Sequence, residues 1–283
     1  MIQFPRYIQI ETTVLCNAGC YFCPQDKLLR KPHYMEDTVW KKIIDDSRGR
    51  GVIYRPFLVN EPLTDQRLPE IMHYIKKDQT AQVELNSNGF LLSEKWSQNL
   101  LNSGLDIIRF SVDGFSAESY RASGRGDNYE IVLENILRFL EIKKDRNHPV
   151  KVHIRMIDLP ANKSEQQAFL DFWGVRMDCA QIVPLYSWPW TGQISPYLKP
   201  CPKIREEMFF FVDGRATLCC WDNWERGVTG DIHYASVEEI WLGTLNQSYR
   251  RLLNEGKRDQ ILLCSRCDGF QKFDFSQWQG YYD

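Results

Sequence analysis

Residues 7–23 read YIQIETTVLCNAGCYFC, a β-rich run over 7–12 that leads into three cysteines, Cys16, Cys20 and Cys23. Spacers of three and then two residues keep the three thiolates close together in one loop. Such a trio can hold a four-iron, four-sulfur cluster by three of its irons. The remaining iron is then open to a small molecule that chelates through an amine and a carboxylate. Zinc is the alternative, although it prefers four ligands and usually takes a cysteine pair with a distant pair of Cys or His. A disulfide framework fits less well, because the nine cysteines are an odd count and no signal peptide precedes the first strand.

Working outward, residues 7–184 alternate short β-rich runs with amphipathic stretches, which predicts a parallel sheet with covering helices. The strands are expected at 7–12, 52–59, 82–87, 106–113, 150–157 and 180–184. The helices are expected at 37–46, 68–77, 93–103, 129–144 and 163–173, where polar or capping residues precede apolar residues at helical spacing. This α/β pattern makes a partial (β/α)6 barrel. Such barrels place their chemistry at the C-terminal ends of the strands, and the three-cysteine loop follows the first strand at that rim. After Pro184 the composition shifts: residues 186–200, with Trp188, Pro189, Trp190, Pro196 and Pro200, read as a connection. Residues 208–212 and 215–219 flank an Asp213-Gly214 turn as a hairpin, and helical stretches at 237–242 and 247–255 follow. The expected division is a barrel over 1–184 and a linker with a smaller domain over 185–283.

That smaller domain carries Cys201, Cys219, Cys264 and Cys267, with seventeen residues between the first two and two between the last two. Four thiolates from a hairpin and a distant CxxC can close completely around one metal centre, whether a cluster or the tetrahedral zinc of a zinc ribbon. Cys179 and Cys220 are left over. They are either packed thiols or, near a substrate, donors of a hydrogen atom to a carbon radical.

The CNAGCYFC run, with aromatic Phe22 before its last cysteine, resembles the signature of the radical S-adenosylmethionine (SAM) superfamily. With the second cysteine set it resembles the SPASM and twitch type of that superfamily, and the spacing of the four looks like that of the 2-deoxy-scyllo-inosamine dehydrogenases. The resemblance implies a partial TIM-type barrel with a twitch-like auxiliary-cluster domain, SAM as cofactor, and two 4Fe-4S clusters. Cys16, Cys20 and Cys23 would hold the SAM-binding cluster and Cys201, Cys219, Cys264 and Cys267 the auxiliary one. No cysteine follows Cys267, so one auxiliary cluster is expected where a full SPASM pattern would continue. The implied chemistry is reductive cleavage of SAM to a 5'-deoxyadenosyl radical, with a flavodoxin or ferredoxin-type reductant.

The same resemblance implies roles at the rim. Asn60-Glu61-Pro62 stands where the family carries Gly-Gly-Glu or Gly-Glu-Pro to bind the SAM amine, with Asn60 departing from Gly. Asn86-Ser87-Asn88-Gly89 is similar to the family's Thr-Asn-Gly segment, and Ser111-Val112-Asp113-Gly114 closes the fourth strand where hydroxyl and carboxylate groups contact the ribose. Strand alternation places Ser111 and Asp113 on one face. Each segment also reads as an ordinary turn. Arg155, between Ile154 and Met156, needs an anionic partner: the SAM carboxylate, a substrate group or an internal ion pair. Trp188, Trp190 and Trp221 are candidates for an apolar wall, and the five histidines show no ligand spacing.

Composition narrows the partners. With 283 residues, 43% hydrophobic and 25% charged, the chain is ordinary and globular, and a net charge of -2 offers no basic face to nucleic acid. No run approaches the roughly 20 apolar residues of a membrane span, so a cytoplasmic protein with a small-molecule substrate is expected. The expected reaction is hydrogen abstraction from a sugar or aminocyclitol, with an alcohol oxidised to a ketone and the auxiliary cluster taking the electron. Alternatives are a radical epimerase using Cys220 or Cys179, and a peptide-modifying enzyme, for which the start of the chain leaves no leader-binding domain. A fourth reading is a non-catalytic zinc or electron-transfer protein.

Overall fold

Tyr7–Ile10 forms β1, buried along its whole length. The structure, a computed structural model describing residues 3–185 and 201–267, extends the sheet outward from both edges of this strand. On one side β2 (Ile53–Arg55), β3 (Gln82–Ser87), β4 (Ile107–Ser111), β5 (Lys151–Asp158) and β6 (Cys179–Pro184) follow in chain order, each parallel to its neighbour. Helices α1 (Asp37–Asp46), α2 (Leu68–Ile75), α3 (Glu94–Asn102), α4 (Ala117–Ala122), α5 (Tyr129–Asp145) and α6 (Gln166–Gly174) lie between them. This is the expected α/β alternation. In α2 the buried residues are Leu68, Ile71, Met72 and Ile75, and in α5 they are Val132, Asn135, Ile136 and Phe139, the single stripe that period 3.6 gives against a sheet.

On the other edge of β1 lies β7 (Glu207–Phe210), parallel, with Tyr7 opposite Glu207; antiparallel β8 (Arg215–Thr217) and β9 (Val228–Asp231) complete a nine-stranded sheet. Helices α7 (Pro202–Glu206), α8 (Val237–Leu242) and α9 (Thr244–Asn254) accompany this hairpin. The expected boundary after Pro184 therefore separates stretches of chain that share one hydrogen-bonded sheet. Trp188 and Trp190 lie outside the described residues.

Several elements differ from expectation for local reasons. β2 stops at Arg55 rather than residue 59 because Pro56 has no N–H for the ladder. α4 has no long apolar period and is fixed instead by a capping box between Ser116 and Ser119. β9 has a weak strand sequence, with Gly230 at its centre. That glycine is required by packing, since a Cβ there would meet Ile240 Cγ2 at 2.6 Å. Among the described residues, no helix is long and apolar enough to cross a membrane.

A buried ion pair fastens the loop after β1 to the C-terminal hairpin. Arg30 donates from Nε to Glu11 Oε2 at 2.7 Å and from Nη2 to Oε1 at 2.9 Å, while the Val212 N–H donates to Glu11 Oε2 at 3.1 Å. The guanidinium also stacks on Phe211, 4.2 Å from its ring centre. Arg30→Met would leave Glu11 buried without its cation, and urea unfolding should then show a loss of about 3–5 kcal/mol.

Candidate active site

A cavity of about 330 Å³ opens at the C-terminal rim of the parallel strands. That volume is at the lower end of small-molecule sites. Cys16, Cys20 and Cys23 line it from the loop after β1, Asn60 and Glu61 from the loop after β2, Asn88 from just past β3, Ser111 from the end of β4, and Arg155 from within β5, opposite Ser111. Lys203, Cys220 and Trp221 of the C-terminal extension line the same cavity. The structure thus gathers most of the sequence-derived candidates around one space.

The three-cysteine loop is held by its backbone. The Cys23 N–H donates to the Cys20 carbonyl at 3.0 Å, a tight turn that brings these two thiols together, and the Tyr21 N–H donates to the Ser123 carbonyl at 3.3 Å. Gly124, with φ +83°, packs against this loop so closely that a Cβ would lie 2.5 Å from the Gly19 carbonyl oxygen. Asn88 Nδ2 donates to Asn17 Oδ1 at 2.9 Å and ties the loop to the end of β3. Burial raises the pKa of all three thiols, that of Cys23 to about 12. Thiols so desolvated become thiolates only beside a strong positive charge, which an iron cluster supplies.

Glu61 is fully enclosed and accepts from Ser87 Oγ at 2.8 Å, the Asn88 N–H at 2.7 Å and the Leu63 N–H at 3.2 Å. A carboxylate has about four acceptor sites, so one remains on this cavity-lining residue. Burial raises its pKa, and the Asn88 and Ser87 donors oppose that rise. Asn60 Oδ1 accepts from the Leu58 N–H at 2.8 Å. Its Nδ2, like Asn86 Oδ1, is buried in the lining without a protein partner. Two orphaned polar atoms in one cavity fit a polar ligand, because buried polar groups in folded proteins are paired.

Asp113 behaves differently from expectation. It is fully buried and absent from the cavity lining, because β4 ends at Ser111 and strand alternation no longer orients residue 113. Its carboxylate accepts from Arg125 Nε at 2.7 Å and from the Ile157 N–H at 2.8 Å. Arg125, which follows Gly124 and lines the cavity, was not singled out in the sequence; the Gly124-Arg125-Gly126 turn was its only signal. Among the described residues no carboxylate pairs with Arg155: its Nε donates to Ser111 Oγ at 3.0 Å. Cys179 opens β6, at the end of the strand opposite Val183 and Pro184, which line the cavity.

Of the second cysteine set, Cys201, Cys219 and Cys264 meet in a small apolar cluster with Ile204, Leu218, Leu253, Ile261 and Leu263, and buried Cys267 lies near enough to raise the pKa of Cys201 and Cys264. Cys201 precedes α7, Cys219 follows β8, and the Cys267 N–H donates to the Cys264 carbonyl at 3.2 Å. The Trp221 N–H points at Cys219 Sγ, 3.4 Å away. Burial, with neighbouring Cys267, pushes Cys201 up to about 12, and burial with Cys201 and Cys267 raises Cys264 as well. All nine cysteines are free. The two sets, three thiols at the rim and four in the extension, are all-thiol donor sets of the kind that hold iron-sulfur clusters.

A barrel rim carrying three thiols, with a four-thiol extension on the same sheet, defines a two-cluster iron-sulfur protein. The chain belongs to the radical SAM superfamily, which matches residues 10–172, and residues 201–268 match SPASM, an iron-sulfur cluster-binding domain. Its cofactors are accordingly SAM and two 4Fe-4S clusters. A probable GTP 3',8-cyclase of Methanococcus maripaludis is 29% identical over 184 residues, 64% of this chain and 60% of the cyclase, so the chain spans about three-fifths of that relative. The solved structure of BtrN with AdoMet and 2-DOIA superposes with a TM-score of 0.67 at 17% identity, over 95% of both chains. That of anSMEcpe with AdoMet gives 0.70 at 16%, over 93% of this chain and 89% of the other. At such identities these likenesses establish the shared fold.

Gly124→Ala tests the contact with the three-cysteine loop. The added methyl group should displace that loop, so iron per chain after anaerobic reconstitution should fall by up to about half, with the auxiliary cluster retained.

Proposed function

We propose that this radical SAM enzyme removes a hydrogen atom from a polar small molecule and oxidises an alcohol to a ketone, with the auxiliary cluster accepting the electron. When bound, SAM and its cluster supply a 5'-deoxyadenosyl radical. The observation that carries the reading is the position of Cys220: it lines the cavity while its chain neighbour Cys219 belongs to the auxiliary thiols. One residue thus separates the substrate space from the second centre. Glu61 would hold the SAM ammonium at its remaining acceptor site, with Asn60 and Ser111 beside it and Asn88 positioning the loop. Asp113 would act through Arg125, and Trp221 would exclude water. A flavodoxin or ferredoxin-type protein in a reducing, cytoplasmic compartment would deliver the first electron.

The same position of Cys220 favours a second reading, epimerisation, in which its thiol returns a hydrogen atom to the substrate. Cys179, at the far end of β6, lends that reading no support. Turnover of a polyol panel in deuterium oxide separates the two. The oxidation gives a product lighter by two hydrogens in both wild type and Cys220→Ala. An isomer carrying one carbon-bound deuteron, lost in Cys220→Ala, would establish epimerisation instead.

The role of Glu61 has its own signature. Only the carboxylate form attracts an ammonium group, and burial raises the Glu61 pKa. SAM affinity, measured by equilibrium dialysis, should therefore decline as pH is lowered through a window above that of an ordinary glutamate. Glu61→Gln should weaken SAM binding by about tenfold to a hundredfold at neutral pH and abolish that decline.

A further inference from the structure

The four later thiols do not sit in a purely apolar shell. Arg258, only 3% exposed, stands in the short helical turn Arg258–Gln260 that leads into Cys264 and Cys267. Its Nη1 lies 3.5 Å from the Cys267 carbonyl oxygen. The Ile261 N–H donates to the Arg258 carbonyl at 3.1 Å, and the Cys264 N–H donates to the Ile261 carbonyl at 2.8 Å. Two successive turns thus fix a buried guanidinium against the CxxC pair. Its charge reaches a separate stretch of chain as well: Arg258 favours the thiolate form of Cys201 and of Cys264, against the burial that raises both.

The other charges around this set do not cancel it. Buried Asp222 opposes Arg258 at Cys264 and is the weaker influence there. Its carboxylate already accepts from Thr217 Oγ1 at 2.6 Å, from the Gly227 N–H at 2.7 Å and from the Arg226 N–H at 2.8 Å, and these dipoles offset its charge. Asp259, next to Arg258 in the chain, is exposed and screened by water. Lys203 favours the Cys201 thiolate too, but it is held by Glu207 in an ion pair.

A fixed cation in a poorly screened interior matters when an electron arrives. On reduction a four-thiolate cluster becomes more negative by one charge without changing its ligands, and a nearby positive charge stabilises that form. A guanidinium keeps its proton in both states. The Trp221 N–H aimed at Cys219 Sγ works in the same direction. We infer that Arg258 raises the reduction potential of the auxiliary cluster and so fits that centre to take the electron released in alcohol oxidation. The inference rests on the oxidation reading above and adds the residue that tunes its acceptor. Arg258 is absent from the cavity lining, so it is a positioning residue that acts through the cluster.

The test uses the full chain with both clusters reconstituted, iron per chain checked, and a potentiometric titration followed by electron paramagnetic resonance, which reads each cluster's midpoint separately. Arg258→Gln keeps an amide donor and removes the charge, whereas Arg258→Lys keeps the charge. The auxiliary cluster of Arg258→Gln should be harder to reduce by about tenfold in equilibrium constant, which is 59 mV for one electron. Arg258→Lys should recover most of that loss, and the rim cluster should not move in either variant. Arg258→His gives a reading within a single protein: its auxiliary midpoint should fall as pH rises through the imidazole titration, while that of wild type stays level. An auxiliary midpoint unchanged in Arg258→Gln, an equal fall in Arg258→Lys, equal shifts at both clusters, or a level profile in Arg258→His would overturn the inference. The midpoints are read without substrate. A failure of the oxidation reading appears instead in the turnover product and is told apart.

Discussion

Everything at the site depends on β1 being hydrogen-bonded on both edges. Its partner on one side is β2, as in any sheet built in chain order, and on the other it is β7, brought from the C-terminal region. The loop leaving β1 carries the three thiols, and the segments flanking β7 carry Cys201, Lys203, Cys219 and Cys220. A single strand therefore sets the distance between the two cysteine sets. The enclosed Glu11 carboxylate, shared by Arg30 of the first loop and the Val212 N–H of the second, reinforces that setting.

The interior of the barrel is less oily than its strands suggest. Gln9, Arg55, Glu84, Arg109 and Glu207 form a continuous buried polar layer below the cavity. Such a layer costs desolvation energy that aliphatic side chains would avoid. Its return is orientation: each long side chain is fixed by its neighbours, so the surface offered to a ligand is firm and charged in a defined pattern.

Much of this was legible in the sequence, because cysteine spacing and hydrophobic period are local. The three-cysteine loop, the four later cysteines and the β3, α1 and α8 boundaries follow from residues close together in the chain. Long-range pairing is a different matter. Nothing near Glu207 announces that its strand lies beside Tyr7, and the weak strand at Val228–Asp231 is defined by its pairing with β8, with Gly230 leaving room for Ile240. Asp113 illustrates the limit at the site. Alternation assigns it to the face of Ser111 only while the strand lasts, and the strand ends two residues earlier. Arg125 escaped notice because its partners, Asp113 and the cysteine loop, are neighbours in space alone.

The pairing of β1 with β7 also bears on how the protein matures. Gln9 and Glu207 bond to each other across 198 positions of chain, a non-local contact of the kind that slows folding because loop-closure entropy is lost before the contact forms. The anchor of the first cysteine loop through Glu11 to Val212 belongs to the same long-range pairing. The strand that completes the sheet and the loop that carries the first three thiols are thus held by one shared carboxylate, so what disturbs the one reaches the other.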